Sequence, residues 1–337
     1  MQNRPGISAP LQGLLVLAAV IIIGAAIVQL KALINPLLLA VLFFVLFSPI
    51  LNWLKRLGLP NMVAVFATMI TMILLVSVTV NLLAVSLEGF IRDMPNIYAQ
   101  LQVRLDQLIA VLPVSFELPG VDEQLATFIN GEQFVDLLTT SLQGVVRTLS
   151  NLLLIALLVL FMLLEATHLS SKIAHLPSNT AKSLGDLANN VKRYLVIKSF
   201  FSLLTGVLIG SFLWIYGIEY PLLMGAIAFL LNFIPAIGSI VAAVPALMLV
   251  FVNHSFLDVL VVFLWYTGVN VAIGNFLEPR KMGQEMGVSP LVVFLSLLLW
   301  GWMLGPIGMF MAVPLSMTIK IILSNYPPTR WLALLMG

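Results

Sequence analysis

"NFIPAIGSIVAAVP", residues 232–245, and "GPIGMFMAVP", residues 305–314, decide the fold of this chain. Both stretches place Ile-Gly ahead of Ala-Val-Pro inside strongly apolar sequence. Gly and Pro are the residues least suited to an uninterrupted helix. The repeat therefore predicts two apolar helices that are broken at matching points, which we call the first and the second motif.

The composition around these motifs is that of a membrane protein. The chain has 337 residues, of which 61% are hydrophobic and only 9% charged, and its mean hydropathy is +1.10. A water-soluble core could not hide so much apolar surface. The net charge of +2 comes from scattered residues, which argues against a nucleic-acid partner, and the lack of cysteine excludes disulfides and thiolate metal sites.

Apolar windows long enough to cross a bilayer recur along the chain and predict an all-α polytopic fold. Six of them carry neither motif, at residues 11–30, 33–54, 62–87, 149–165, 196–216 and 257–277. The windows 222–252 and 290–323 each contain one motif. The first of these is long enough for one tilted span or two half-length arms but too short for two full spans. Asn232, Pro235 and Gly238 lie in its middle, where the tip of a re-entrant helical hairpin would need them, so we favour the hairpin. We therefore expect about eight transmembrane helices plus one re-entrant hairpin.

Lysine and arginine orient the chain, because the cytoplasmic side of a membrane protein collects them. With the N-terminus inside, twelve of them are cytoplasmic: Arg4, Lys55, Arg56, Lys172, Lys182, Lys192, Arg193, Lys198, Arg280, Lys281, Lys320 and Arg330. The outer side keeps four: Lys31, Arg92, Arg104 and Arg147. We expect both ends of the chain to be cytoplasmic.

Two polar insertions divide the chain into three parts. We expect a three-span part at residues 1–87, an acidic extracytoplasmic insertion at 88–147, and a transport core at 148–337 that includes a basic cytoplasmic insertion at 165–198. Apolar residues of the acidic insertion recur at helical spacing and predict an amphipathic helix: Ile97, Leu101, Leu105, Leu108 and Leu112. This helix would pack on its own membrane domain or against other subunits, and the sequence leaves both open.

The sequence carries none of the common marks of an enzyme. It has no Walker A loop, no GxGxxG, no GxSxG and no HExxH. We expect no enzyme activity, no cofactor and no metal site. Without a nucleotide-binding loop, transport would be passive or coupled to an ion gradient, as in a channel or a secondary transporter.

The two motifs are the main candidates for a transport site. Broken helices persist in a bilayer only where protein or water surrounds the freed backbone groups, and paired breaks mark substrate sites in secondary transporters. The alternative is that Pro and Gly only kink two ordinary spans. If the motifs form a site, Gly238 and Gly308 should lie close together. The residues assigned to this part of the path are Asn232, Pro235, Gly238, Pro245, Gly305, Pro306, Gly308 and Pro314.

A second group of polar residues follows the span at 257–277. Asn270 and Asn275 lie in or at the end of this span, and Glu278 follows with Arg280 two residues later. Ionisable groups at membrane depth often mark ion or substrate routes, so we predict that Glu278 acts in the transport cycle with Arg280 as its electrostatic partner. The alternative is an interfacial anchor. Glu165, at the end of the fourth apolar window, is a secondary candidate.

The C-terminal third resembles a known family. "LNFIPAIGSIVAAVP", "GNFLEPRKMG" and "LVVFLSLLLWGWMLGPIGMFMAVPLSMTIKI", in this order and spacing, are similar to the signature of the autoinducer-2 exporter family of bacterial inner-membrane proteins. The family motif falls on Pro235, Gly238, Pro245, Asn275, Glu278, Pro279, Gly283, Gly305, Pro306, Gly308 and Pro314. The resemblance implies export of autoinducer-2, or sodium (lithium)/proton antiport as assigned to other members, and a homo-oligomer, a pentamer.

The function that we expect is a secondary transporter that exports a small polar solute, autoinducer-2 by resemblance, across the bacterial inner membrane. Its partners would be membrane lipids, the solute and a coupling ion, H⁺ or Na⁺. One alternative is a sodium (lithium)/proton antiporter that uses Glu278 or Glu165. A second is a structural or regulatory membrane protein that does not transport.

Overall fold

A computed structural model describes residues 9–111, 139–140, 142–144, 146–147, 149, 151–173, 178–235, 237–282 and 289–337 of the chain. All regular secondary structure in these ranges is helical. The helices before the first motif are α1 (Ala9–Gln29), α2 (Lys31–Arg56), α3 (Asn61–Val111), α4 (Leu152–Ile173) and α5 (Ser178–Tyr216). The later helices are α6 (Pro221–Leu231), which ends just before the first motif, α7 (Ile237–Asn253), α8 (Phe256–Asn270), a π-helix (Val271–Leu277), α9 (Glu278–Met282), α10 (Pro290–Leu304), α11 (Pro306–Asn325) and α12 (Arg330–Leu335).

The described helices confirm a multi-pass membrane protein. Those long and apolar enough to cross a bilayer are Lys31–Arg56, Asn61–Arg104, Gly185–Tyr216, Phe256–Met282 and Pro306–Asn325. Shorter apolar helices are Leu152–Ala166, Pro221–Leu231, Gly238–Asn253 and Pro290–Leu304. The count of eight crossings and the depth of the hairpin in the membrane remain predictions.

Helix α3 joins the third span to the amphipathic segment without a break. It continues past Leu87, where the acidic insertion was expected to begin, as far as Val111. Ile97 and Leu101 are buried and belong to the same apolar cluster as Leu87 and Phe90. At these positions the amphipathic face therefore packs on its own protomer, as the first of the two alternatives predicts. Residues 112–138 of the insertion lie outside the described residues.

The first motif forms a helical hairpin made of α6 and α7, which we call the first hairpin. Ala228 of α6 and Ala242 of α7 line the same small cavity, although they would lie about 21 Å apart in one continuous helix. A Cβ atom on Gly238 would lie 1.8 Å from the carbonyl oxygen of Leu231. The fold-back therefore brings the start of α7 against the backbone that ends α6, and only glycine fits there.

The second motif forms a second hairpin, made of α10 and α11. The hydroxyls of Ser296 and Ser316 are 2.7 Å apart, whereas twenty residues of continuous helix span about 30 Å. The turn is made at Gly305, whose φ of 72° lies in the left-handed region that glycine tolerates. A Cβ on Gly308 would lie 2.1 Å from the carbonyl oxygen of Trp300. Both motifs thus form the same kind of contact, in which a glycine of one arm packs against the backbone of the opposite arm.

The two hairpins belong to different apolar cores and meet at an aromatic contact. The first core joins α2, α3 and α4 to the middle of α5 and to α11. The second joins the far half of α3 to α5, α8 and the first hairpin. Between them the rings of Phe233 and Phe310 lie 5.6 Å apart. The motifs therefore meet through these rings, while Gly238 and Gly308 each pack inside their own hairpin.

The first hairpin is fixed to α5 by glycine contacts and at its base to α3 by Tyr220. A Cβ on Gly206 of α5 would lie 2.7 Å from the carbonyl oxygen of Gly225 of α6, so the two backbones touch. At the hairpin base, the Tyr220 hydroxyl donates to Asp93 of α3. Burial and this carboxylate raise the pKa of Tyr220 to about 12, so the hydroxyl keeps its proton, and its bond to Asp93, at higher pH than an ordinary tyrosine would.

We predict opposite accessibility for two exposed arginines, Arg104 and Arg56. Charge sidedness places Arg104 outside the cell membrane and Arg56 in the cytoplasm. Because the chain has no cysteine, Arg104→Cys and Arg56→Cys each supply a single reactive thiol. An impermeant maleimide added to whole cells should label Arg104→Cys only, and permeabilised cells should label both. Labelling of Arg56→Cys alone in whole cells would invert the topology.

The glycines of the hairpins should be far less tolerant than a glycine in open space. We expect Gly238→Ala and Gly308→Ala to lower the free energy of unfolding by about 1–3 kcal/mol or more, because each added Cβ collides with backbone. Gly268 of α8 is the matched control, since a Cβ there meets nothing within 4 Å. Thermal unfolding of the purified proteins in detergent measures the difference, and equal loss in all three variants would contradict it.

Candidate functional site

The candidate site is built around a buried ion pair between α5 and α9. The Lys198 Nζ and Glu278 Oε1 atoms are 2.7 Å apart, and the two side chains are 6% and 10% exposed. Two charges taken out of water carry a large desolvation cost, which their attraction offsets only in good geometry. Such a pair in the apolar interior is a strong candidate for function.

The π-helix is what turns Glu278 toward Lys198. The buried residues of α8 and the π-helix follow α-helical spacing up to Ile273, in the order Val262, Tyr266, Val269, Ile273. The next position in that series would be Phe276 or Leu277, yet both are exposed and Glu278 is buried instead. The backbone N–H of Glu278 donates to the carbonyl of Ile273, five residues back. This single wide turn shifts the buried face by one residue and presents a carboxylate where an α-helix would present leucine.

The structure corrects the predicted partner of Glu278. Arg280 was expected to neutralise the carboxylate, but the cation within reach is Lys198. The Arg280 guanidinium instead lies 6.0 Å from the centroid of the Phe276 ring, on the exposed side of the helix. Lys198 was counted with the cytoplasmic insertion, and it lies buried in the interior of α5 instead.

A column of polar side chains continues from the ion pair along α5. Ser202 and Thr205 follow Lys198 at spacings of four and three residues, which places all three on one face of the helix, and all three are buried. The amide Nδ2 of Asn232, at the tip of the first hairpin, donates to the Ser202 hydroxyl at 2.9 Å. The ion pair and the tip of the hairpin are therefore held by the same helix, about one turn apart.

A small cavity lies between this column, the first hairpin and α8. It offers about 10 Å³ to the centre of a water molecule, close to the space that one water needs. Its polar lining consists of Thr205, Asn232, Ser239, Tyr266 and Asn270. The structure thus brings two predicted site residues, Asn232 and Asn270, to one cavity whose polar groups are all uncharged.

The tip of the second hairpin is held by α2. Asn35 Nδ2 donates to the carbonyl oxygen of Leu304 at 3.1 Å, at the last residue of α10. Further from the turn, the two arms α10 and α11 are joined by a hydrogen bond that the Trp300 indole donates to the Ser316 hydroxyl at 3.2 Å. These contacts satisfy backbone and side-chain groups that an apolar surrounding leaves without partners.

The remaining predicted site residues have mixed positions. Pro245 and Pro314 lie inside α7 and α11, Pro306 is the first residue of α11, and Pro235 lies in the turn between the arms of the first hairpin. Asn275 is exposed on the π-helix, away from the cavity, and Glu165 is exposed on α4. Gly283 lies outside the described residues. Whether these positions act in transport remains a prediction.

Four residues of this arrangement were not predicted as site residues from the sequence: Lys198, Ser202, Tyr266 and Asn35. A usable signal existed for the first two, because Lys198, Ser202 and Thr205 form a polar stripe at helical spacing inside an apolar span. Asn35 and Tyr266 are single polar residues in apolar helices, and their roles depend on elements distant in sequence.

Comparison with known proteins identifies the family. A sequence model described as AI-2E family transporter matches residues 15–328. Putative transport protein YhhT of Escherichia coli K12 is 34% identical to this chain, covering 96% of it and 93% of YhhT. AI-2 transport protein TqsA of the same strain is 33% identical, covering 90% of this chain and 88% of TqsA. A putative transport protein of Haemophilus influenzae is 34% identical, covering 100% and 98%. The chain belongs to the AI-2E transporter family, which confirms the resemblance and supports a role in membrane transport.

The ion pair predicts a non-additive pattern of stability. Lys198→Met or Glu278→Leu alone should lower the free energy of unfolding by about 3–5 kcal/mol, because each leaves one buried charge without its partner. The double variant should recover to within about 1 kcal/mol of the wild type, since no buried charge remains. The free energies of unfolding of the wild type, the two single variants and the double variant, measured in detergent, form a double-mutant cycle that tests this pattern.

Arg280→Gln is the control for this cycle. Its side chain is exposed, so its effect should stay within about 0.5 kcal/mol. If Arg280→Gln cost as much as Lys198→Met, or if the two single losses simply added in the double variant, Lys198 would not be the electrostatic partner of Glu278.

Proposed function

We propose that this member of the AI-2E transporter family is a secondary transporter that exports a small polar solute across the bacterial inner membrane. The observation that carries the proposal is the pair of helical hairpins whose tips lie within one protomer and are joined by Phe233 and Phe310. Breaks of this kind supply backbone groups and half-helix ends that can bind a solute inside the bilayer. The solute would be bound between the first hairpin, α5 and α8.

The chemistry of the cavity suits a polar solute that carries hydrogen-bonding groups. Asn232 supplies an amide at the tip of the first hairpin, and Asn270 supplies a second from α8. An amide both donates and accepts hydrogen bonds, so the two side chains can contact hydroxyl and carbonyl groups of a solute. The space of about 10 Å³ admits no sugar-sized molecule, so the proposed binding requires the first hairpin to move away from α5 or α8.

Autoinducer-2 is the solute that we propose first. The name AI-2 transport protein belongs to TqsA, which covers most of this chain at 33% identity. A small polar sugar derivative matches the uncharged polar lining of the cavity. Autoinducer-2 remains a proposal for this chain, because the relatives from Escherichia coli (YhhT) and Haemophilus influenzae are named only as transport proteins.

A sodium (lithium)/proton antiporter is the second candidate, and the ion pair is the observation that favours it. Glu278 is the buried carboxylate of the described residues, and its partner Lys198 holds it at 2.7 Å. An antiporter needs a carboxylate that gains and loses a proton in each cycle. In the exporter that we prefer, the same pair would couple proton movement to the motion of the first hairpin, because Ser202 binds its tip one turn away.

The assembly and orientation of the protein complete the proposal. We propose a homo-oligomer, a pentamer, from the family resemblance, with both chain ends in the cytoplasm from charge sidedness. Large apolar side chains are exposed on several described helices, among them Trp214, Trp302 and Leu153. Lipid or neighbouring subunits would cover these faces in the membrane.

Inverted membrane vesicles test the proposal directly. The wild type should accumulate labelled autoinducer-2, and Asn232→Leu should reduce the initial rate about tenfold or more, because it removes the amide at the hairpin tip and its bond to Ser202. Asn81→Leu is the matched control, since Asn81 is exposed on α3 and donates to the carbonyl oxygen of Ser77, and it should retain the wild-type rate.

The competing functions give different results in the same vesicles. Sodium-driven proton flux without autoinducer-2 uptake would replace the exporter with the antiporter. No flux of either kind, in vesicles that contain correctly inserted protein, would favour a structural or regulatory role. Equal uptake by Asn232→Leu and the wild type would remove the first hairpin from the transport path.

A further inference from the structure

Tyr266 of α8 carries a buried hydroxyl that makes no hydrogen bond to any described residue. The residue is 6% exposed. A buried hydroxyl without a partner costs about 1–3 kcal/mol. A phenylalanine would fill the same space without this cost, so the structure alone gives no reason for a tyrosine.

The surroundings of Tyr266 show where its hydroxyl could be used. Tyr266 lines the cavity that Asn232 of the first hairpin and Asn270 of α8 also line. Asn232 is engaged by Ser202 at 2.9 Å through its Nδ2 atom, and Thr205 donates its hydroxyl to the carbonyl oxygen of Phe201. These two partners are therefore partly used within the protein, whereas the Tyr266 hydroxyl is available.

Among the described residues, no charged side chain lines the cavity. The ion pair of Lys198 and Glu278 lies on the same face of α5, but neither residue lines the cavity. An anionic or cationic group placed in the cavity would lose its water without gaining a counter-charge, at a large cost. The lining thus selects against charged groups and accepts hydroxyl or carbonyl oxygen.

We propose that the Tyr266 hydroxyl is a binding group of the solute site, one that donates a hydrogen bond to an uncharged oxygen of the transported molecule. This inference rests on the proposed function, and it adds a residue and a selection rule to that site. In this proposal the solute supplies the hydrogen-bond acceptor that the described residues do not provide. The protein is less stable without solute as a consequence, which is the usual cost of a prepared site.

The isosteric substitution Tyr266→Phe separates this role from a structural one. We expect the variant to have a melting temperature in detergent at or above that of the wild type, because it removes an unpaired buried hydroxyl. Its KM for autoinducer-2 in inverted vesicles should rise about tenfold, with a maximal rate within about twofold of the wild type. A weaker apparent affinity for the solute without a loss of stability is expected of a side chain that binds the solute and does not stabilise the fold.

Tyr216→Phe is the matched control for this experiment. The Tyr216 hydroxyl donates to Asp258 Oδ1 at 2.6 Å, so its removal should lower the melting temperature and leave the KM unchanged. Only the Tyr216→Phe variant is thus expected to melt below the wild type.

Two results would overturn the inference while leaving the proposed function intact. In the first, the KM of Tyr266→Phe for autoinducer-2 equals that of the wild type, whatever its melting temperature. In the second, Tyr266→Phe melts below the wild type, as it would if a bound structural water satisfied the hydroxyl. If the wild type carries no autoinducer-2, the proposed substrate fails. The melting temperatures then decide the inference, since a Tyr266→Phe protein less stable than the wild type excludes a reserved hydroxyl and a more stable one supports it.

Discussion

The structure depends on one constraint: a helix that is interrupted in an apolar surrounding must find partners for the backbone groups that it frees. At the first hairpin these partners lie within the turn itself, where the N–H groups of Phe233, Ile234 and Gly238 donate to carbonyls three or four residues back. At the second hairpin the carbonyl of Leu304 is satisfied from outside, by Asn35 of α2. Glycine at 238 and 308 follows from the same constraint, because it lets each turn close tightly enough for these bonds to form.

The buried ion pair adds a second constraint, imposed by charge. Lys198 and Glu278 are stable in the interior only while they remain together, because separation leaves two desolvated charges without a partner. The π-helix holds Glu278 in place through a single shift of register. The wide turn also suits Pro279, whose ring would meet the carbonyl of the residue four positions earlier in a regular α-helix. An irregular helix at this point thus serves both the proline and the carboxylate.

The sequence could predict the features that are local. Apolar windows, the two broken motifs and the amphipathic spacing around Ile97 are patterns of near neighbours, and the helices observed follow them. The partner of Glu278 was mispredicted as Arg280 because the nearest cation in sequence is not the nearest in space, and Lys198 is eighty residues away. The shift that buries Glu278 in place of Leu277 changes the register by one residue without changing the composition. No hydropathy pattern records such a shift, and the unused hydroxyl of Tyr266 likewise becomes visible only once its neighbours are placed.

The contacts of the first hairpin differ in strength, and the difference indicates where it can move. Against α5 it presents Gly225 to Gly206 at backbone distance, and Asn232 is bonded to Ser202. Against the second hairpin it presents the Phe233 ring to Phe310, tilted at 49°, a contact of a kind worth about 0.5–1.5 kcal/mol beyond its buried area. An aromatic contact can slide without leaving polar groups unpaired, whereas the Asn232 bond cannot be broken without cost. In the transport cycle proposed above, the two hairpins would therefore separate first at the phenylalanines, and breaking the Asn232 bond would require the solute to offer the amide a replacement partner.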